Sequence, residues 1–449
     1  MNKTVVIDIV GLSSSLINEH TSFLKKYVAE NGLNTIEPML PAVTTSVQST
    51  FVTGKWPHEH GIVGNGWYDR TDCEIKFWKQ SNKLVLAEKI WERAKKTDPL
   101  FTCSKMFWWY NMYSGADYSV TPRPNYLADG RKIPDCYSHP AELRDELQIE
   151  LGQFPLFKFW GPATDITSTQ WIADASIYTD KKYDPTLSLI YLPHLDYCLQ
   201  KYGQDVAAIS KDLSEIDKIV EQLVNYYRAK NGRVILLSEY GITNVDRPVH
   251  INRELRKSGF LQIRTERGLE LLDPGASKAF AVADHQMAHI YINDPSVTSQ
   301  VRQILEQVPG IQLILNKEEQ QQYHIDHERS GDLVVIADER SWFTYYFWLD
   351  DAKAPDYARV VDIHKKPGYD PVELFMTSKA RAGYKLIRKK LGIRYVMDVI
   401  PLNAELIKGS HGRLVTEKAF HPVLITRQIK NREIKATDVY DIIWNSLTN

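Results

Sequence analysis

Three strand-like runs of this sequence end in carboxylates, which at such positions are able to bind a metal ion. Asp8 ends the first run, Asp196 follows the second and Glu239 ends the third. Oxygen ligands suit hard and borderline cations, and ligands of parallel α/β sheets bind beyond the carboxyl ends of the strands. Each acid has an ordinary alternative as a helix cap or a turn residue. The runs are TVVIDIVG (4–11), LSLIYLP (187–193) and RVILLSEYG (233–241).

Three further residues add to the pattern. Tyr240 directly follows Glu239, so one ion could contact both oxygens, unless Tyr240 is a core residue. Gln200 stands four residues after Asp196, where a metal-binding helix would carry histidine. His411 lies between small residues in GSHG (409–412), which suits a loop around a metal ligand.

A threonine is placed at the start of a predicted helix. Val43, Val47 and Phe51 recur at helical spacing, and Gly54 ends the segment, so Thr44 falls in the first turn. Unpaired N–H groups there favour an anion, and a metal-bound hydroxyl is able to act as a nucleophile. Threonine is also a preferred helix cap, which is the alternative role.

Further candidates lie outside these runs. His250, His285 and His364 could complete a metal site, or they could line a substrate cleft or occupy turns. In the segment 105–132, aromatic side chains could stack on a nucleobase or sugar and one arginine could pair with a phosphate. The alternative for the aromatic residues is a place in the core. The residues concerned are Trp108, Trp109, Tyr110 and Arg123.

Composition restricts the class of protein. The 449 residues include 43% hydrophobic residues and carry a formal net charge of −1, typical of a folded globular chain. This balance gives no electrostatic basis for a nucleic-acid polymer or a membrane as partner. The four cysteines form no CxxC pair, which favours a reducing compartment. Without a signal-peptide pattern or a spanning apolar segment, we expect a cytoplasmic protein.

The order of elements predicts the fold class. Strand-like runs alternate with helical patterns at 16–32 and 205–232, which indicates an α/β protein with a doubly wound, mostly parallel sheet and helices on both faces. From residue 246 the pattern changes to a smaller α+β insert, which we expect to cover a site as a lid or cap. We expect a core of residues 1–245 and 396–449 and an insert of residues 246–395.

The segment PAVTTSVQSTFVTGKWPHEHGIVGN (41–65) resembles the motif PTxTxPNxxxxVTGxxPxxHGIxxN. That motif belongs to the nucleotide pyrophosphatase/phosphodiesterase (type I phosphodiesterase) branch of the alkaline phosphatase superfamily. The resemblance covers roughly residues 1–245 and 400–430 and implies an alkaline phosphatase-like core. It makes Thr44 the nucleophile and Asn65 the residue that hydrogen-bonds a phosphoryl oxygen. It implies that Asp8, Asp196 and His411 are metal ligands.

Two ligand positions depart from the family pattern. Gln200 replaces the histidine of the D-x-x-x-H motif, and Glu239-Tyr240-Gly241 replaces Asp-His-Gly. The resemblance implies two metal ions, and zinc as the metal. Oxygen ligands in place of two histidines favour a harder metal such as iron or manganese, or else one metal site is lost.

The activity implied is metal-dependent hydrolysis of a small phosphorylated substrate, of the phosphodiesterase or nucleotide pyrophosphatase type, through a phospho-threonine intermediate. The alternative is a degenerate member of the family that binds a phosphorylated ligand without turnover. The two replaced histidines support the alternative. The retained Thr44, Asn65 and acids favour the enzyme. The oligomeric state is not predicted.

Overall fold

A nine-stranded mixed sheet forms the centre of the computed structural model, which describes residues 1–129 and 131–449. The strands are β1 (Thr4–Ile9), β2 (Asn34–Ile36), β3 (Gly66–Asp69), β4 (Glu74–Phe77), β5 (Cys103–Met106), β6 (Tyr118–Pro122), β7 (Asn125–Tyr126), β8 (Lys132–Ile133), β9 (Cys136–His139), β10 (Leu187–Leu192), β11 (Arg233–Leu237), β12 (Thr243–Asn244), β13 (Arg247–Val249), β14 (Ile263–Glu266), β15 (Leu269–Leu272), β16 (Ala279–Asp284), β17 (Met287–Ile292), β18 (Ile311–Leu315), β19 (Leu333–Ala337), β20 (Ser341–Phe343), β21 (Gly409–Ser410), β22 (Val423–Ile425) and β23 (Glu433–Ile434).

The α-helices connect and cover these strands. They are α1 (Ser22–Asn31), α2 (Thr44–Thr53), α3 (Pro57–His60), α4 (Ile90–Thr97), α5 (Glu142–Leu151), α6 (Leu156–Phe159), α7 (Ile166–Tyr183), α8 (His194–Tyr202), α9 (Val206–Ala229), α10 (Ile251–Lys257), α11 (Thr298–Glu306), α12 (Lys317–Gln321), α13 (Lys379–Lys390) and α14 (Asp438–Thr448). Within the described part of the chain, no helix has both the length and the apolar character needed to cross a bilayer.

The main sheet is parallel at its centre and mixed at its edges. Its order is β23-β2-β22-β11-β1-β10-β5-β6-β9. The five strands from β11 to β6 are parallel to one another, whereas β22 is antiparallel to β11 and β9 is antiparallel to β6. Every residue of β1 and β10 is buried, as expected for parallel strands covered on both faces. The predicted α/β fold with a large, helix-covered sheet is confirmed.

Alternate residues of β1 face two different hydrophobic cores. Val5 and Ile7 belong to the core that includes Leu213 of α9, whereas Val6 belongs to the core that includes Phe51 of α2. This alternation follows from the two-residue period of a strand. Helices therefore cover both faces of the sheet, with α9 on one side and α2 on the other.

A second, antiparallel sheet of order β16-β17-β19-β18 lies within the predicted insert. Its residues Val282 and Ile290 share a continuous core with β1 and β10. The insert is thus packed against the main sheet. The boundaries at 245/246 and 395/396 stay a prediction.

Candidate active site

Helix α2 places Thr44 beside the carboxyl ends of the central strands. The helix begins at Thr44 and ends before Gly54, whose φ of 66° suits glycine, as the sequence predicted. Thr44 is 4% exposed, and its Oγ1 lies 3.0 Å from the Tyr240 hydroxyl. The free N–H groups of the first turn make this end of the helix favourable for an anion.

Asp8 and Glu239 form the first acid pair, at the ends of the neighbouring strands β1 and β11. The Nε2 of Gln48 donates to Oδ2 of Asp8 at 3.3 Å and to Oε1 of Glu239 at 2.6 Å. Among the described residues, the remaining oxygens, Oδ1 of Asp8 and Oε2 of Glu239, are buried without a hydrogen-bond partner. Each carboxylate therefore keeps one oxygen available for a ligand.

The electrostatics of this pair favour a cation. Burial raises the pKa of Asp8 to about 7. Burial and the adjacent Asp8 raise the pKa of Glu239 well above its usual range. Two buried carboxylates in contact cannot both ionise without a positive charge nearby, and unpaired buried oxygens are costly. The residues present fit a cation that takes oxygen ligands.

The orientation of Gln48 is set by the backbone of Trp109. The Trp109 N–H donates to Oε1 of Gln48 at 2.8 Å, so the carbonyl side of the amide faces Trp109 and the NH₂ side faces the acids. Gln48 thus gives the acid pair a neutral hydrogen-bond donor. An amide NH₂ group has no lone pair to offer a cation, so Gln48 is not a ligand in this orientation.

Asp196 and His411 form the second pair. Nδ1 of His411 lies 2.7 Å from the carbonyl oxygen of Ala42, to which it donates. Nε2 is therefore unprotonated, and it lies 3.6 Å from Oδ1 of Asp196. Burial and the neighbouring His285 lower the pKa of His411 well below its usual value. Nε2 of His411 and Oδ1 of Asp196 each carry a lone pair, so this second pair also fits a cation.

Tyr240 connects Thr44 to this second pair. Its hydroxyl lies 3.3 Å from Oδ1 of Asp196 and donates to it. Burial raises the pKa of Tyr240 well above its usual range, which keeps the phenol protonated. Since the Tyr240 proton points to Asp196, the Thr44 hydroxyl donates to the Tyr240 oxygen. The result is a chain of hydrogen bonds from Thr44 through Tyr240 to Asp196.

Gln200 occupies the other side of Asp196. Its Nε2 donates to Oδ2 of Asp196 at 2.7 Å, and its Oε1 accepts a hydrogen bond from the Tyr369 hydroxyl at 2.8 Å. Burial raises the pKa of Asp196 to about 7. Gln200 thus lies in contact with Asp196, and its role as a metal ligand stays a prediction.

Asn65 is held beside helix α2 by a second network. Its Oδ1 accepts hydrogen bonds from the backbone N–H of Thr45 at 3.2 Å and from the Thr45 hydroxyl at 3.1 Å. Its Nδ2 and backbone N–H donate to the carboxylate of Asp284 at 3.1 and 2.8 Å. Asp284 therefore fixes the position of Asn65 next to the first turn of α2.

The candidate histidines lie in different places. The ring of His285 lies between Tyr369 and His411, with centroid distances of 3.6 and 3.8 Å. His250 is hydrogen-bonded to Thr344 at 2.7 Å. Nδ1 of His364 is 3.4 Å from the carbonyl oxygen of Phe77. Of these three, His285 is the one whose ring contacts His411.

The candidate substrate-binding residues are mostly buried. Trp108 belongs to the core on the α2 side of the sheet, and the Trp109 ring packs against Trp78 with centroids 4.8 Å apart. Tyr110 is 2% exposed. The guanidinium of Arg123 lies 3.5 Å from the sulfur of Met112. A role for these residues in substrate binding stays a prediction.

A further group of potential metal ligands lies apart from the two pairs. His194, Asp212 and Glu215 are the only three such residues, within the described chain, whose ligand atoms all lie within 4.8 Å of one another. Nε2 of His194 is 2.9 Å from Oδ1 of Asp212. The predicted ligands form two separate pairs rather than one such cluster.

Three residues of the site were not predicted from the sequence. Gln48 stands four residues after Thr44, a spacing that places both on one helix face. Asp284 ends strand β16, in the same way that the identified acids end or follow their strands. Both signals were present in the sequence. Tyr369 reaches Gln200 from the insert, and no local pattern indicates that contact.

Comparison with known proteins assigns the family. Residues 4–370 match the family described as type I phosphodiesterase / nucleotide pyrophosphatase. The chain belongs to this family.

Curated relatives match over part of their length. Ectonucleotide pyrophosphatase/phosphodiesterase 1 of Saccharomyces cerevisiae is 24% identical over 277 residues, which are 55% of this chain and 35% of the yeast protein. Ectonucleotide pyrophosphatase/phosphodiesterase 2 of the same yeast is 25% identical over 265 residues, which are 54% of this chain and 48% of that protein. This chain spans less than half the length of these relatives.

Solved structures show the same fold. An inactive murine ectonucleotide pyrophosphatase/phosphodiesterase 5 in complex with AMP superposes with a TM-score of 0.61 at 15% identity, covering 100% of this chain and 95% of that chain. Phosphonoacetate hydrolase from Sinorhizobium meliloti in complex with phosphonoformate gives 0.62 at 14% identity, covering 100% and 96%.

Proposed function

We propose that this protein is a metal-dependent phosphoester hydrolase of the phosphodiesterase or nucleotide pyrophosphatase type, with Thr44 as the nucleophile and a small phosphorylated molecule as substrate. The observation that carries the proposal is the position of Thr44 at a helix N-terminus between two buried pairs that each fit a cation. Family membership and the named activities of the relatives support the same reaction class.

The chain's own residues prepare Thr44 for attack. Its hydroxyl donates to Tyr240, and the Tyr240 hydroxyl donates to Asp196. The Tyr240 oxygen thus orients the Thr44 hydroxyl for attack. The first turn of α2 stabilises the negative charge of a phosphoryl group beside Thr44.

Asn65 is proposed to contact the phosphoryl group. Its Oδ1 accepts hydrogen bonds from Thr45 in the first turn of α2. Its Nδ2 group would donate a hydrogen bond to a phosphoryl oxygen. Asp284 orients that amide. Asn65 would then stabilise charge that develops in the transition state.

The two pairs would hold the metal ions. Asp8 and Glu239 would bind one ion, and Asp196 and His411 the other. Bound cations polarise the phosphoryl oxygens and lower the pKa of a coordinated hydroxyl or water. The oxygen donors Asp8 and Glu239 suit iron or manganese as well as the zinc implied by the family resemblance.

Hydrolysis of bis(p-nitrophenyl) phosphate and of the p-nitrophenyl ester of thymidine 5′-monophosphate tests the proposal. Thr44→Val keeps the shape of the side chain and removes the hydroxyl, so it should abolish turnover. Thr44→Ser is the matched control, because it keeps the hydroxyl and should retain measurable activity. Turnover by Thr44→Val at the unmodified rate would refute the role of Thr44.

One observation favours a second candidate function, binding of a phosphorylated ligand without turnover. The NH₂ group of Gln48 already bridges Asp8 and Glu239, so the acid pair has a neutral partner from within the chain. Equilibrium dialysis with manganese, iron and zinc separates the two candidates. Uptake of no metal, together with binding of AMP by calorimetry, would favour the binding protein.

A further inference from the structure

Helix α13 and the turn after it concentrate positive charge. Residues 379–394 contain seven lysines and arginines and no acid; the next acid is Asp398. The whole chain has a net charge of −1 because acidic residues elsewhere balance the positive charge of this segment. The charge argument against a membrane partner therefore does not hold for this part of the surface.

The same helix carries an apolar stripe. Ala380, Tyr384, Ile387 and Leu391 follow one another at spacings of four, three and four residues, which places them on one face of a helix. At about 100° per residue, Lys379 and Lys390 flank the stripe on one side, and Arg381 and Arg388 flank it on the other. The stripe is thus bordered by positive charge on both sides.

This apolar stripe faces solvent rather than the protein. Tyr384, Ile387 and Leu391 are 56%, 59% and 68% exposed, and α13 has no buried residue. The opposite side contacts the protein: Ala382 packs against the core, and Lys385 pairs with Asp398 at 2.6 Å. Helices on a globular surface normally turn their apolar face inward, so this helix is oriented the other way.

Most of the positive charge is also unpaired. Arg381 and Lys385 share Asp398, whereas no acidic side chain of the described residues forms an ion pair with Lys389 or Lys390. The guanidinium of Arg388 donates to the carbonyl oxygen of Arg394. Exposed apolar residues continue past the helix with Ile393 and Val396.

We propose that residues 379–396 bind the surface of a membrane rich in anionic phospholipid. The helix lies in the plane of the interface, with Tyr384, Ile387 and Leu391 inserted at the boundary between headgroups and acyl chains. The flanking lysines and arginines contact the lipid phosphates. A membrane fits better than a protein groove because the charges border the stripe on both sides, as a flat anionic surface requires.

Vesicle flotation with the whole 449-residue chain tests this inference. Vesicles of phosphatidylcholine with phosphatidylglycerol are compared with vesicles of phosphatidylcholine alone. The protein should float with the anionic vesicles only, and high salt should weaken the binding because charges at the surface are screened. Equal binding to both vesicle types, or binding to neither, would overturn the proposal.

Two variants of the segment have matched controls elsewhere on the surface. Ile387→Gln/Leu391→Gln and Lys379→Glu/Lys390→Glu should each reduce the vesicle partition coefficient by at least about tenfold. Leu100→Gln/Ile149→Gln alters side chains that are 88% and 84% exposed, and Lys25→Glu/Lys26→Glu alters exposed lysines of α1. Both control variants should bind as the unmodified protein does.

The segment variants replace exposed residues, so circular dichroism should show unchanged folding. Segment variants that bind vesicles as well as their controls would contradict the proposal. A dimer of the unmodified protein in light scattering that Ile387→Gln/Leu391→Gln dissociates would also contradict the proposal, because a second copy of the chain would then cover the stripe.

Discussion

The phenol of Tyr240 lies flat on the imidazole of His411, with ring centroids 3.6 Å apart and planes 7° apart. Because of this contact, the Tyr240 hydroxyl is held where it reaches both Thr44 and Asp196. Tyr240 thus connects the proposed nucleophile, Thr44, to the pair formed by Asp196 and His411. Its hydroxyl, rather than a ring nitrogen, is the polar group at that position.

Tyr240→Phe should lower kcat by about 10- to 100-fold, the usual cost of losing a group that orients a metal-centre residue. The ring still packs on His411, but Thr44 loses its hydrogen-bond acceptor. KM should change little, because the substrate does not contact the removed hydroxyl in this account. Steady-state kinetics measure both constants, and an unchanged kcat would exclude Tyr240 from the reaction.

Gln48→Leu should destabilise the metal-free protein by about 1–3 kcal/mol, because Asp8, Glu239 and the Trp109 N–H each lose a partner. A cation at the acid pair should restore more stability in this variant than in the unmodified protein. Thermal unfolding with and without manganese measures the difference. An equal shift for both proteins would show that Gln48 does not share the site with a cation.

The stabilisation that Asp8 and Asp196 contribute to the metal-free protein should fall as pH rises from about 4 to about 7. Burial raises the folded-state pKa of Asp8 and of Asp196 to about 7, above the unfolded value near ~3.9. In that window these two side chains bind more protons in the folded state than in the unfolded state, so their share of the stability is lost as the pH rises. Asp8→Asn should flatten the pH profile, as measured by urea unfolding. A profile that Asp8→Asn leaves unaltered would contradict the raised pKa.

Metal affinity should follow the opposite trend. A cation binds the ionised carboxylates and displaces their protons, so manganese uptake should strengthen as pH rises through about 7, where Asp8 ionises. Calorimetric titration at several pH values measures this, and Glu239→Gln should lose the tight site. Affinity independent of pH would show that the metal does not bind the carboxylates of Asp8 and Glu239.

Asp284→Asn should reduce turnover through Asn65. The carboxylate accepts both the backbone and the side-chain N–H of Asn65, and an asparagine can accept only through its single carbonyl oxygen. We expect a lower kcat because the Asn65 amide is no longer held beside Thr45. A double-mutant cycle with Asn65→Ala checks the pathway. Additive effects would contradict it.

The fold and part of the site were predictable from local patterns. The runs around Asp8, Asp196 and Glu239 are buried strands or their ends, and such runs are recognisable because they are apolar, β-branched and short. Thr44 was placed by the helical spacing of Val43 and Val47. These signals lie within a few residues of each acid or hydroxyl.

The remaining contacts depend on packing between distant segments. Tyr369 and His285 come from the insert and meet Gln200 and His411 only after the chain has folded. The solvent-facing orientation of the apolar stripe of α13 was also not predictable, because an amphipathic pattern alone predicts a helix with its apolar side inward. The cytoplasmic location and the domain boundaries stay predictions.

The most direct test of the account is mass spectrometry of the peptide that contains Thr44, after rapid acid quench of the protein turning over a phosphodiester. We expect a covalent phosphoryl adduct on Thr44 that is absent from Thr44→Val and reduced by metal removal. Turnover at the full rate with an unmodified Thr44 and no adduct under any quench time would contradict it.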